Sequence, residues 1–276
     1  MPELPEVETV RRGLARQLEG RVLQSVTVRR RDLRLPIPQD FESRTVGARV
    51  LSVGRRAKYL TLALDSGALI IGHLGMTGRF CVVPLPLPPA EKHDHVIFVT
   101  DAGQAAVFSD PRRFGLLVLG RADRPADHPL LKDLGPEPLS PDWTAAQLLA
   151  KLRPRRSPLK ALLLDQGVVA GLGNIYVCEA LWRARLSPER TGSDVSPAQA
   201  AKLHAAVRAV LQDALAAGGS TLRDYVQADG QSGGFQNLFS VYDRQGSRCA
   251  HSGCRGTIER TVQAGRSTYF CPRCQR

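Results

Sequence analysis

Between Pro5 and Gly20, apolar residues recur at Val7, Val10, Leu14 and Leu18, the three-and-four spacing of one helical face. Pro5 suits a first turn and Gly20 can close the end. Glu3, Glu6 and Glu8 crowd the start and Arg11, Arg12 and Arg16 follow, which complements the helix dipole. From Arg21 to about Gly120 the pattern changes to short β-branched runs between turn residues: Val22–Val28, Val46–Val53, Tyr59–Leu64, Ala68–Ile71, Val96–Thr100, Ala105–Phe108 and Leu116–Leu119. This spacing predicts an antiparallel sheet folded as a sandwich or barrel. The proline-rich stretch 84–89 reads as an extended surface loop.

Gly135-Pro136-Glu137-Pro138 reads as a linker, and beyond it the period becomes helical over Trp143–Leu152, Leu159–Asp165, Asn174–Ala184 and Pro197–Ala217. The last helix has Ser196 as N-cap, Gly218-Gly219 as stop, and Leu203, Val207, Val210 and Leu211 on one face. Gly218–Gly234 is glycine-rich and polar and predicts a mobile loop. The chain shows no internal repeat.

A length of 276 residues allows two domains, or two and a small module. With 43% hydrophobic but only 5% aromatic residues, the core should consist mainly of Leu, Val and Ala. Lys plus Arg (38) against Asp plus Glu (26) leaves +12, mostly as arginine, whose fork fits phosphate oxygens. Nucleic acid is the expected partner. An anionic membrane surface or acidic protein fits less well, because no amphipathic basic helix stands out. No apolar run approaches the roughly 20 residues of a membrane span, and the acid-rich start is no signal peptide, so a soluble, cytoplasmic protein is expected.

Of six cysteines, four lie in the last 28 residues. Cys249-x4-Cys254-x16-Cys271-x2-Cys274 is a two-knuckle pattern that suits zinc in a reducing compartment better than disulfides. So short a unit cannot bury enough surface to fold alone, whereas zinc contributes about 10–16 kcal/mol in such peptides. Four thiolates leave no open coordination position, so one structural zinc and no organic cofactor are expected. Thr257–Val262 and Ser267–Phe270 alternate as strands, and Gln263–Arg266 forms the turn between them. Arg266 then projects from the tip, as a phosphate ligand or as a solvated charge.

The first residues are Met1-Pro2-Glu3. Trimming of Met1 would leave Pro2 with a free secondary amine, and a chain-terminal amine titrates near ~8. Its neutral fraction can attack an electrophilic carbon and form an iminium, with Glu3 one residue away as proton donor. Gly171-Leu-Gly173-Asn174 precedes a helix, where close backbone approach and free N–H groups suit a phosphate; Arg153, Arg155, Arg156 and Lys160 lie upstream. Asp110-Pro-Arg112-Arg113-Phe114-Gly115 sets two guanidiniums and an aromatic in a tight loop, and His73-Leu-Gly-Met76-Thr-Gly78 exposes a methionine between glycines. Apolar wedges of this kind can enter a base stack. Lys58 stands where a strand begins. Alone, each of these features is compatible with ordinary loop packing.

Taken in order, PELPEVETVRRGL, RRAKYL, HLGMTGRF, KHDHV, DPRRFG, LGPEPL, GLGNIYVCEAL, GGSTLRDYVQADG and AGRSTYFCPRCQR resemble the bacterial formamidopyrimidine-DNA glycosylase family across the whole chain. The resemblance implies an α+β multidomain fold. An N-terminal helix and antiparallel β-sandwich would occupy 1–134, a helix–two-turn–helix domain 135–234, and a zinc-finger hairpin 235–276. It implies base-excision repair by a glycosylase/AP lyase that removes oxidised purines and nicks by β,δ-elimination. The protein would act as a monomer on damaged duplex DNA, associated with the nucleoid.

By the same resemblance, Pro2 is the nucleophile toward C1′ and Glu3 the acid that assists sugar-ring opening. Lys58 and Arg266 serve phosphate binding and proton transfer. Asn174, His93, Arg112, Arg155, Lys160 and His73 contact DNA. Met76, Arg112 and Phe114 fill the space of a flipped base, and Gly218–Gly234 folds over the lesion. Two rivals remain: an endonuclease VIII-type enzyme for oxidised pyrimidines, and a non-catalytic zinc-finger DNA-binding protein. The family's first zinc pair is usually Cys-x2-Cys, whereas Cys249-Ala-His251-Ser-Gly-Cys254 carries two extra residues. That spacing is still allowed for zinc and leaves His251 open as a fourth ligand in place of one cysteine.

Overall fold

The opening helix, α1, runs over Leu4–Leu18, with Pro5 in its first turn. Val7, Val10, Leu14 and Leu18 are each no more than 1% exposed, so the apolar stripe is the buried face. The structure, a computed structural model, describes residues 1–220 and 233–276. It divides into two units, Met1–Lys132 with Ala217–Gly234, and Asp133–Ala216 with Phe235–Arg276.

In the first unit, α1 is followed by β1 (Leu23–Val28), α2 (Phe41–Thr45), β2 (Val50–Arg56), β3 (Tyr59–Leu64), β4 (Ala68–His73), β5 (Arg79–Pro84), β6 (Asp94–Thr100), β7 (Gln104–Ser109) and β8 (Leu116–Arg121). These form two four-stranded antiparallel sheets, β1-β6-β7-β5 and β2-β3-β4-β8. Their facing sides share one core with α1, in which Leu23, Val50, Leu60, Phe98 and Phe108 meet Val10 and Leu14. The arrangement is a sandwich, not a closed barrel.

Two elements differ from the sequence reading. Residues 41–45 are helical and Gly47 turns at φ 79°, so β2 starts at Val50 rather than Val46. Residues 79–84 form β5, with Pro84 its last paired residue opposite Gln104. Proline is tolerated there because it ends the ladder.

The second unit holds α3 (Ala145–Leu152), α4 (Leu159–Leu164), α5 (Asn174–Ala184), α6 (Pro197–Ala216), β9 (Glu259–Gln263) and β10 (Arg266–Phe270). Thr144 caps α3, its hydroxyl accepting the Gln147 N–H while the Gln147 side chain returns to the Thr144 N–H. The predicted helix at Trp143 therefore begins two residues later. Leu203, Val207, Val210 and Leu211 of α6 are fully buried.

Glu179 on α5 is also fully buried, and its carboxylate accepts the N–H groups of Ser240, Val241 and Tyr242 at 2.9–3.0 Å. This fixes the chain that leads into the hairpin. The hairpin turns through Ala264 (φ 48°) and Gly265 (φ 72°), which puts Arg266 opposite Gln263. Most of the stretch expected to be a mobile loop, 221–232, lies outside the described residues. No described helix is long and apolar enough to cross a membrane.

Candidate functional site

The start of α1 is buried. Glu3 is 3% and Glu6 2% exposed, and Pro2 is buried, while Met1 remains 49% exposed. Glu6 accepts the Glu3 backbone N–H at 2.8 Å with one oxygen and the Ser220 N–H at 2.8 Å with the other. The Ser220 hydroxyl donates to the same carboxylate. A side chain at Gly219 would meet Glu6 at 3.1 Å, so the backbone approaches closely where φ is +84°. Pro2 and Glu3 are thus held by a helix cap rather than by a free end.

Lys58 sits in the two-residue turn between β2 and β3, after Ala57 at φ 52°, and is 7% exposed. Arg55 supports that turn, donating to the Ala57 carbonyl at 2.7 Å and to Glu8 of α1 at 3.1 Å. Burial pushes the Glu8 carboxyl up, but bonds and charge from Arg11, Arg12 and Arg55 outweigh it and hold the group below its ordinary value.

His73 faces the same turn, its ring 5.0 Å from Tyr59 in register across β3 and β4. Burial, then the charges of Lys58 and Arg34, push the imidazole down to about 4. It is therefore neutral at neutral pH. Its Nδ1 accepts the Gly75 N–H at 2.9 Å, which leaves the hydrogen on Nε2. Arg34 belongs to this cationic cluster, although a single arginine in a loop carries no pattern that would mark it.

Met76 (40% exposed) and Phe114 (44% exposed) stand on neighbouring loops, with the Arg112 guanidinium 4.7 Å above the Phe114 ring. Asp110 joins the loops. Fully buried, it accepts the Thr77 hydroxyl and the Gly115 N–H at 2.7 Å, while Thr77 in turn accepts the Arg112 N–H at 3.2 Å. A Cβ on Gly75 would lie 2.3 Å from the Phe114 carbonyl carbon, so only glycine permits the contact. His93 contributes its carbonyl to the Asp110 N–H, and its ring lies 6.4 Å from His95. In the sequence the arginines and the aromatic of this loop stand out, whereas its acid does not. A buried carboxylate looks like any other acid until its donors are known.

In the second unit, two expected residues meet at one carbonyl. Asn174, the first residue of α5, donates Nδ2 to the Ser267 carbonyl at 2.8 Å, and Lys160 donates Nζ to the same oxygen at 2.9 Å and to the Thr268 hydroxyl. Arg266 is the adjacent residue and is exposed. Lys160 itself is 1% exposed; burial foremost, and the nearby Arg266 charge, lower its pKa. Its ammonium is thus occupied inside the unit, holding β10 just beyond the tip of the hairpin. Arg155 stands apart, bound to Asp165 at 2.6 Å.

The sulfurs of Cys249, Cys254, Cys271 and Cys274 lie within 4.8 Å of one another, as free thiols, with 3.7 Å in the pairs Cys249–Cys274 and Cys254–Cys271. Thiolates about 2.3 Å from a tetrahedral zinc stand about 3.8 Å apart. The donor set therefore fits one structural zinc. The four sulfurs complete it without His251, whose Nδ1 lies on the Cys274 sulfur instead.

Three family models match in chain order. They are the formamidopyrimidine-DNA glycosylase N-terminal domain over residues 1–117, the formamidopyrimidine-DNA glycosylase H2TH domain over 134–226, and a zinc finger found in FPG and IleRS over 246–276. A curated formamidopyrimidine-DNA glycosylase of Rhodospirillum rubrum is 54% identical over 285 residues, covering 100% of each chain. A mutant Lactococcus lactis FPG complexed with Fapy-dG-containing DNA matches at TM-score 0.91 and 35% identity, over 100% of both chains. Wild-type Lactococcus lactis FPG complexed with DNA containing an oxidized pyrimidine matches at TM-score 0.90 and 35% identity, again over 100% of both. This chain belongs to the formamidopyrimidine-DNA glycosylase family.

Proposed function

We propose that this base-excision repair glycosylase/AP lyase removes oxidised purines, 8-oxoguanine and ring-opened formamidopyrimidines, from duplex DNA with Pro2 as nucleophile. The observation that carries the reading is the buried Pro2-Glu3 pair at the capped start of α1, within a chain of +12. The chemistry belongs to the chain without Met1, because attached Met1 makes the Pro2 nitrogen an amide with no nucleophilic lone pair.

A base in duplex must leave the stack before its C1′ can be reached, at a cost of a few kcal/mol. Met76, Arg112 and Phe114 fill the vacated space, and phosphate contacts from Lys58, His73, His93, Asn174 and Arg266 offset the rest. The Pro2 nitrogen then bonds to C1′ and the glycosidic bond breaks, its electron pair leaving with the base, which takes up the proton that the amine gives up. Glu3 protonates O4′ as the C1′–O4′ bond opens, leaving an iminium between Pro2 and C1′. Loss of a C2′ proton expels the 3′ phosphate, and a second elimination expels the 5′ phosphate. Lys58 and Arg266 hold the phosphates and move protons in these steps. Zinc supplies structure to the hairpin carrying Arg266 and takes no part in bond making. The enzyme acts as a monomer at the nucleoid.

Borohydride reduction with an 8-oxoguanine duplex tests the reading. A covalent adduct is expected with the mature protein, and slower trapping and turnover with Pro2→Gly, whose terminal amine is primary; a pure DNA-binding protein gives no adduct with either. The oxidized-pyrimidine complex of the Lactococcus lactis relative favours a second reading, a preference for pyrimidine lesions. Faster excision of thymine glycol than of 8-oxoguanine opposite cytosine would establish that second reading.

A further inference from the structure

Two of the finger's sulfurs lie within hydrogen-bond reach of ring nitrogens outside the four-sulfur set. Trp182, in the last turn of α5, points its indole Nε1–H at Cys249 Sγ, 3.4 Å away. His251, in the knuckle between Cys249 and Cys254, places Nδ1 3.2 Å from Cys274 Sγ. The rings lie face to face, with centroids 3.9 Å apart and planes 6° from parallel. Cys249 and Cys274 are themselves a close pair, 3.7 Å apart.

A zinc-bound thiolate has no hydrogen to give, so the imidazole must donate from Nδ1 and its tautomer is fixed. Four thiolates around a dication carry a net charge of −2, and each N–H directed at sulfur offsets part of it. The stack also makes each donor the wall that orients the other. The helix that supplies Trp182 begins with Asn174, whose side chain holds the Ser267 carbonyl of β10. Helix α5 therefore grips the finger at both ends, once at the hairpin and once at the sulfurs.

We propose that Trp182 and His251 form a stacked outer shell of the zinc site, which locks the finger to α5 and sets how tightly zinc is held. The proposal rests on the four-cysteine zinc site and not on the lesion chemistry. Both residues act on the metal through its ligands and are positioning residues.

The test uses purified holoenzyme of the full chain and two substitutions. His251→Phe keeps the stacking surface and removes one donor; Trp182→Phe removes the other. Zinc affinity from chelator competition should fall about 10–100-fold in each, the usual cost of losing an outer-shell partner. In cobalt-substituted protein the thiolate-to-metal charge-transfer band should move to lower energy in each, while the four-sulfur d–d envelope stays unchanged. Affinities within about twofold of the parent and an unmoved charge-transfer band would overturn the proposal. An altered d–d envelope in His251→Phe would overturn it too, by making His251 a ligand. If Trp182→Phe fails to fold, the His251→Phe readings decide alone.

Discussion

Glu6 holds the backbone N–H of Glu3 at 2.8 Å with one carboxylate oxygen and the N–H of Ser220 with the other. An amide in its place would turn an NH2 toward one of two buried donors. Glu6→Gln should therefore cost about 1–3 kcal/mol of stability. It should also slow borohydride trapping, because the loosened backbone at Glu3 adjoins Pro2, the proposed nucleophile. Denaturant titration and single-turnover trapping check both; a variant trapped at the parent rate would show that the cap does not position Pro2-Glu3.

His73 makes stability depend on pH. Its imidazole titrates at about 4 in the folded chain, against about 6.5 in an unfolded one. Between those values the unfolded state binds more protons, so stability rises with pH across the window, is complete above about 6.5, and is lost toward 4. The contribution is on the order of 3 kcal/mol. Asparagine keeps an acceptor for the Gly75 N–H but does not titrate. The difference in unfolding free energy between parent and His73→Asn should slope between pH 4 and 6.5 and flatten above; a flat difference throughout would refute the shift.

Asp110 accepts the Thr77 hydroxyl and the Gly115 N–H from two loops at once. Asp110→Asn should destabilise the protein by about 1–3 kcal/mol, since one donor would face another donor. The variant should lose 8-oxoguanine excision more than abasic-site nicking, because an abasic site has no base whose place the wedge we propose for Met76 and Phe114 would fill. Equal losses on the two substrates would argue against the link between these loops and base extrusion.

Stripping zinc with a strong chelator should abolish binding to a duplex with an abasic-site analogue, measured by fluorescence anisotropy, because the hairpin that carries Arg266, our proposed phosphate ligand, loses its metal. Normal affinity in a metal-free protein would show the finger to be dispensable.

Much of this arrangement was legible in the chain. The stripe Val7, Val10, Leu14, Leu18 announced α1 because a helix repeats its neighbours every three or four residues, and the cysteine spacing announced the metal because four ligands leave few alternatives. Helix α2 escaped because five residues span little more than one turn and do not repeat the period. Strand β5 escaped because it runs into prolines, which argue against a strand until Pro84 is seen at the ladder's end. Lys160 reads as a DNA contact in a basic stretch, and only the packing of β10 against α4 shows its ammonium turned inward. Asp110, Glu179 and Trp182 share one reason for being missed. Each acts on residues more than two turns away along the chain or in another element, and no local spacing encodes such a pairing.

Glu179 has a consequence for how the second unit comes apart. Its fully buried carboxylate is met by three consecutive amides of residues 240–242. Were that segment to peel away while α5 stayed folded, the Glu179 side chain would lose all three amide donors at once, a loss costing about 1–3 kcal/mol. Partial melting of the finger alone is thereby penalised, and helix and finger should melt as one cooperative block. Heat capacity and hydrogen exchange would then register a single transition for the two, and damage to either would be paid in the folding of both.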